Sequence, residues 1–221
     1  MNSEVKLMHR LRDFGIKEAI VLLIASISLT YAVTTAPRSG IDIIFFQQAG
    51  RNWVDGIFQI GQGPATDYPP FTIVLFSLLT LISPERLRAL WLGLNIASTG
   101  LVFYLLSKWL NQRWPFKAHF YLIMLLLSWA PFRVTLRNGQ LSLMITALIL
   151  AMELAEQKRA GYVAGILMGF SLCKYPLTYP FFLYYVFKRR WKTVAIALLI
   201  PLVLIQIFAF RMHQSLIAVT F

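Results

Sequence analysis

Seven apolar runs recur along this chain, at residues 20–33, 90–106, 120–130, 141–152, 160–173, 177–187 and 194–210, with polar or proline-bearing segments between them. None carries a charge, so each predicts a helix that is greasy all round, as a membrane span is. A hydrocarbon core of ~30 Å takes about 20 helical residues to cross. The shorter runs therefore predict tilted helices, or helices flanked by irregular segments at the membrane faces. The expected fold is all-α: a single polytopic membrane module over 1–221, with an arm at 1–17, a first span at 18–36, a loop at 37–87 and six further spans in 88–221.

Two weaker patterns sit in the 37–87 loop. Residues 41–55 place Gln48, Arg51, Asn52 and Asp55 on one face at helical spacing, which predicts an amphipathic helix. Asp42 falls off that polar face, on the side of Phe46, Ala49 and Trp53. Residues 71–83 form a short apolar run after Pro69-Pro70 and before Pro84. If this run crosses the bilayer, every later loop changes side. The positive-inside rule decides against crossing. With 71–83 re-entrant or interfacial, the cytoplasmic segments hold Lys6, Arg10, Arg12 and Lys17, then Lys108, Arg113 and Lys117, then Lys158 and Arg159, then Lys188, Arg189, Arg190 and Lys192. Those are thirteen of the 21 basic residues; a crossing segment would leave ten inside and eleven outside. The N-terminus is then cytoplasmic, and the first loop, which carries Asp42, Asp55, Asp67 and Glu85, is outside.

Composition agrees with this picture: 58% of residues are hydrophobic, 14% are charged, and the mean hydropathy is +0.65. A soluble domain has roughly 45–50% apolar and about 25% charged residues. The net charge of +12 does not indicate a nucleic-acid partner, because the basic residues form short clusters between greasy runs, where membrane lipids are their partners. Cys173 stands alone and forms no intrachain disulfide. His9, His119 and His213 lack metal-ligand spacing, and Gly56, Gly61 and Gly63 are not followed by the Lys-Ser/Thr of a nucleotide loop. The N-terminal arm is long and mixed in sign, which reads as an uncleaved first span, not a signal peptide. Gly161, Gly165 and Gly169 form a small-residue ridge for close helix packing. Trp109, Trp114 and Trp191 fall near the inferred cytoplasmic ends, as interfacial tryptophans do.

Gly40-x-Asp42 after the first span, DYPPF at 67–71, RNGQLSL at 137–143 and GILMGFSLCKYP at 165–176 followed by KRRW occur in an order and spacing that resembles the polyprenyl-phosphate-dependent glycosyltransferases of the GT-C superfamily. The resemblance is strongest to glycosyltransferase family 87, the alpha-mannosyltransferase-like membrane enzymes. It implies a seven-helix catalytic module in the plasma membrane, a catalytic aspartate in the first outer loop, a polyprenyl-phosphate-linked sugar donor in place of a nucleotide sugar, and a lipid or glycan acceptor. Mannose is the sugar it suggests. Members of that family generally continue through further spans, whereas this chain stops at Phe221 inside an apolar stretch, which reads as a fragment or a truncated product.

Such a transfer needs a base for the acceptor hydroxyl and cations for the departing phosphate. Asp42 is the candidate base, since an apolar setting raises a carboxyl pKa toward a useful value; its competing role is a helix cap, because Ser39-x-x-Asp42 resembles a capping box. Arg133, Arg137 and Lys174 share the inferred outer side and are candidates for the donor phosphate, or for snorkelling to lipid headgroups. Asn138 and Gln140 offer hydrogen bonds to sugar or phosphate, or else form a turn and helix start. Asp67 and Tyr68, before the rigid Pro-Pro, are candidates for the acceptor side or for a plain turn. Asp55 is expected to be solvated, and no metal cage or other cofactor site is expected. The competing class is a non-enzymatic membrane protein, a small transporter or a lipid-handling partner.

Overall fold

The computed structural model describes residues 15–35, 40–59, 68–110 and 115–213. Most of the N-terminal arm, Ser39, Asp67, Arg113 and Trp114 lie outside the described residues, as do the side chains of Trp109 and His119. The described residues are helical throughout, with no strand among them. In chain order the helices are α1 (Ile16–Thr35), α2 (Ile41–Val54), α3 (Pro70–Ser77), α4 (Pro84–Leu110), α5 (Phe116–Ser128), α6 (Ala130–Asn138), α7 (Ser142–Gln157), α8 (Gly161–Ser171), α9 (Tyr175–Phe187) and α10 (Trp191–Arg211). A 3₁₀ turn, Leu78–Leu81, extends α3, and another, Leu172–Lys174, joins α8 to α9.

Among the described residues, three helices are long and apolar enough to cross a bilayer: Ile16–Thr35, Pro84–Lys108 and Trp191–Arg211. The pair Phe120–Ser128 and Ala130–Asn138, bent by 58°, gives a fourth if counted as one broken span. The break has a local cause. Trp129 is extended (ψ 133) and Pro131 sits in the first turn of α6. A proline there lacks the N–H for the preceding helix and clashes with the carbonyl four residues back, yet suits a new helix start. Residues 132–140, which separate the third and fourth apolar runs, are therefore mostly the helix α6. α7, α8 and α9 have 16, 11 and 13 residues, fewer than the about 20 that a full helical crossing takes.

The amphipathic helix of the first loop is present as α2. Phe46, Ala49 and Trp53 are buried, while Gln48, Arg51 and Asp55 are exposed. Gln47, also buried, donates to the carbonyls of Leu79 (2.9 Å) and Ile82 (2.7 Å). It thereby satisfies carbonyls at the end of the α3 segment, where no further helical turn follows. A Cβ on Gly50 would lie 2.7 Å from the carbonyl oxygen of Phe76, so α2 and α3 touch backbone to backbone there.

The expected glycine ridge finds its partner in α10. A Cβ on Gly165 would stand 2.8 Å from the Thr193 carbonyl, and one on Gly169 would stand 3.0 Å from that of Ala197. Small residues are what allow such an approach between helices in lipid, where packing replaces the hydrophobic drive. The main core joins α2, α3, α7, α8 and α10 through Ile43, Phe46, Ile73, Met152, Met168 and Phe208. A separate small cluster, Ala32, Phe132 and Leu136, holds α6 against α1. Two acidic residues away from α2 are matched across helices: Glu18 accepts from the Tyr121 hydroxyl (2.7 Å), and Glu156 meets Arg190 (3.8 Å) and accepts from Thr193.

Candidate functional site

α2 starts at Gly40, whose φ of 44 places it in the left-handed region that favours glycine. It donates through its N–H to the carbonyl of Arg137 at 3.1 Å. That bond sets the first turn of α2 against the end of α6. The N-cap of α2 is Gly40, and Ser39, the other half of the expected capping box, lies outside the described residues.

α6 ends in a Schellman turn. Gly139 has φ 72, its N–H reaches the Leu136 carbonyl (3.4 Å), and the Gln140 N–H reaches that of Thr135 (3.1 Å). The Gly139 carbonyl accepts from the indole N–H of Trp91 at 2.6 Å. A Cβ on Gly139 would be 3.2 Å from Trp91 and 3.4 Å from Ile43. Fully buried Ile43 is thus wedged against this turn, which aims its neighbour Asp42 toward Gln140.

Lys174 arrives from the other direction. It ends the 3₁₀ turn after α8, and Pro176 in the first turn of α9 stops the preceding helix from running on. Its ammonium donates to the Ser142 hydroxyl at 2.7 Å. Tyr68 packs edge-on against Phe46, with ring centroids 4.7 Å apart, and Phe46 stacks on Phe76 at 4.2 Å. The result is one cavity of about 330 Å³ lined by Asp42, Phe45, Phe46, Tyr68, Gln140, Lys174 and Pro176. That is near the low end of the ~300–1,000 Å³ range of ligand pockets.

The electrostatics of the pair are mixed. Burial pushes the Asp42 carboxyl up from the usual aspartate range, against the opposing pull of the Lys174 charge and a hydrogen bond with Gln140. Burial likewise pushes the Lys174 ammonium down, against the Asp42 charge. A carboxylate raised by desolvation is a better proton acceptor than a solvated one. The cavity therefore offers a base, a cation, an amide and aromatic walls in one place. Among the described residues, no group of three His, Cys, Asp or Glu side chains is arranged to hold a metal.

Of the residues expected from the sequence, Asp42, Tyr68, Gln140 and Lys174 meet in this cavity. Arg133 and Arg137 line a different one, between α6 and α1. Asn138, the last residue of α6, is half-buried and lines neither of the two. Asp67 lies outside the described residues. Sequence reasoning missed Ser142, Phe45 and Pro176. Each had a signal: Ser142 is two residues after Gln140, Phe45 is one helical turn from Asp42, and Pro176 follows Lys174 in the motif already noted.

Residues 66–218 match the family model described as Glycosyltransferase family 87. The match takes in Tyr68, Gln140 and Lys174 and begins after Asp42. No curated protein and no solved structure matches the chain.

Proposed function

Because this chain belongs to glycosyltransferase family 87, and is with its apolar helices a membrane glycosyltransferase, we propose that the Asp42–Lys174 cavity is where the sugar is transferred. The donor is a polyprenyl-phosphate hexose, mannose by family likeness, and the acceptor is a hydroxyl of a lipid or glycan. The acceptor oxygen attacks the anomeric carbon while its proton passes to the Asp42 carboxylate. The bond from that carbon to the phosphate oxygen breaks, and the electron pair leaves with the polyprenyl phosphate. Lys174 stabilises the charge gained by the leaving phosphate, with Ser142 holding its ammonium in place and Gln140 donating through its amide. Electrostatic groups aimed at the point where charge develops are the usual source of rate enhancement. Phe45, Phe46 and Tyr68 form the apolar walls that keep water from the base.

The observation that carries this reading is the meeting of Asp42 and Lys174, far apart in sequence, in one cavity with opposed charge and partial burial. In the proposed topology, seven helices (α1, α4, the broken α5–α6, α7, α8, α9 and α10) span the plasma membrane. The arm at 1–17 is cytoplasmic, and the 37–87 loop with Asp42 is outside. The 71–83 segment lies at the outer interface without crossing, where Leu78 and Leu81 expose their side chains.

The direct test is release of polyprenyl phosphate from a lipid-linked hexose by the purified protein. The topology is tested with single cysteines in a Cys173→Ser background. An impermeant thiol reagent added to intact cells should label Gln62→Cys and Gln140→Cys but not Asn111→Cys. Labelling at position 111 without labelling at position 140 would overturn it.

A further inference from the structure

The turns after α7 and after α9 are built alike. In the first, the Arg159 N–H reaches the Glu156 carbonyl and the Ala160 N–H that of Ala155, both at 2.9 Å. In the second, the Arg189 N–H reaches the Val186 carbonyl (2.9 Å) and the Arg190 N–H that of Tyr185 (3.0 Å). Both are Schellman turns, and the left-handed position, which glycine suits best, holds an arginine in each: Arg159 at φ 58 and Arg189 at φ 55. We propose that the two turns together form one site for a membrane lipid that carries two phosphates.

Glu156 is what joins them. At the end of α7, it meets Arg190 at 3.8 Å and accepts from Thr193 in the first turn of α10. The Thr193 hydroxyl also stands 3.4 Å from the carbonyl of Gly161, the first residue of α8. The turns are thus fixed side by side, and Lys158, Arg159, Lys188, Arg189, Arg190 and Lys192 are all exposed at the end they share. Two carboxylates lie near. Glu156 offsets Arg190, and Glu153, one helical turn earlier, accepts from the Tyr185 hydroxyl at 2.9 Å. The surface stays strongly positive, and each turn brings it a lysine followed by a left-handed arginine. A guanidinium fork matches phosphate oxygens, so two such pairs match two phosphates. Each basic run taken alone marks only a side of the membrane; their pairing in the fold is what selects the second phosphate.

The surroundings favour a lipid over an acidic protein segment. Lys192 lies over the Tyr162 ring with its ammonium 3.3 Å from the centroid, and Lys188 over the Tyr184 ring at 5.6 Å. Tyr162, Tyr184 and Trp191 are exposed, as is Phe187 beside Lys188. Tyrosine and tryptophan favour the headgroup level of a membrane, where lysine and arginine attract anionic lipid. α10, which starts at Trp191, is long and apolar enough to cross a bilayer, so these cations stand where a spanning helix begins. The site is separate from the transfer cavity. Ser142, which holds Lys174, opens α7, and the 16 residues of that helix put Lys158 about 24 Å away at 1.5 Å per residue.

The test is native mass spectrometry of the full chain, stripped of lipid in detergent. The probes are cardiolipin, which carries two phosphates, phosphatidylglycerol, phosphatidylcholine and polyglutamate. Cardiolipin should form a saturable adduct, with each of the others binding at least about tenfold more weakly. Arg159→Gly/Arg189→Gly removes both guanidiniums and supplies the residue that a left-handed turn favours. Its thermal midpoint should hold or rise while cardiolipin binding falls about tenfold or more. Lys158→Gln/Lys188→Gln, at positions of ordinary helical backbone, should give the same loss and serves if the glycine pair fails to fold. Arg159→Gly alone should bring cardiolipin down to the level of phosphatidylglycerol. Lys174→Met should leave the adduct intact. Cardiolipin binding that survives both double variants, or that Lys174→Met abolishes, overturns the proposal. Equal binding of phosphatidylglycerol or phosphatidylcholine overturns the two-phosphate site. Tighter binding of polyglutamate makes the surface a dock for an acidic protein and overturns the lipid. None of these outcomes depends on sugar transfer.

Discussion

Two cation-bearing cavities lie at one end of this bundle, and they are built in opposite ways. The Asp42–Lys174 cavity borders the large core, with Ile43 fully buried beneath it and Lys174 tied to Ser142. Its charges are of opposite sign and partly desolvated. The Arg133–Arg137 cavity rests on the small Ala32–Phe132–Leu136 cluster, its charges are alike, and Arg137 is exposed. A base must be held rigidly and kept from bulk water, which a large core supplies. The same residue classes, at the same end of the molecule, thus stand in two unlike settings, and only the first suits the proposed transfer.

The comparison breaks most sharply at Asp42. Asp42→Asn keeps the shape and one acceptor oxygen but cannot take a proton, so turnover should fall by about 10²–10⁴ while the protein still inserts and folds. Asparagine serves as well as aspartate at a helix start, so stability should barely move. Steady-state turnover within a few-fold of the parent would remove Asp42 from the chemistry.

Lys174→Met should weaken binding of the polyprenyl-phosphate donor about tenfold or more, the value of a charge-assisted contact of roughly 1.5–3 kcal/mol. Unchanged donor affinity, measured by equilibrium binding, would leave Lys174 a structural partner of Ser142. The same variant sharpens the pH dependence. Asp42 must be ionised to act, so activity should fall as pH drops through a midpoint above the ordinary aspartate value of about 3.9. Burial raises that midpoint and the Lys174 charge lowers it. Removing the cation should therefore move the acid limb to higher pH. A limb that stays put or moves down would show that the two groups are not coupled.

Gly139 joins the two cavities, since α6 gives Arg137 to one and the turn after it gives Gln140 to the other. Gly139→Ala must hold a left-handed conformation, at about 1–2 kcal/mol, with its methyl against Trp91. A lower thermal midpoint, together with loss in the transfer assay, is expected. The smallest effect belongs to Asp55→Asn. Exposed on the polar face of α2, Asp55 should tolerate the change with turnover within about twofold, the scale of a solvated surface site. A large loss there would shift the chemistry away from the Asp42 side of the helix.

Much of this architecture was legible in the residues. Uninterrupted apolar runs demand internally bonded backbone in lipid, so helices followed directly from them. The burial of Phe46, Ala49 and Trp53 and the exposure of Gln48, Arg51 and Asp55 follow from a period of 3.6 residues. The small-residue spacing of α8 forecast a close helix neighbour but not which helix, because any partner with a complementary groove satisfies it. The break at Trp129 was written in Pro131, yet whether the segment beyond would be loop or helix depended on its apolar side, Phe132 and Leu136, finding Ala32 of α1.

For the site, residue types, order along the chain and the family resemblance marked Asp42, Tyr68, Gln140 and Lys174 as candidates, and these four line one cavity. They could not separate Lys174 from Arg133 and Arg137, since all three are cations expected on one side of the membrane. Tertiary structure decided that point. The left-handed turn at Gly139, braced by Trp91 and Ile43, sends the end of α6 one way and Gln140 the other, while the bond from Gly40 to the Arg137 carbonyl seats the first turn of α2 against it. Both are contacts between segments far apart in sequence, and no local propensity or periodicity encodes them.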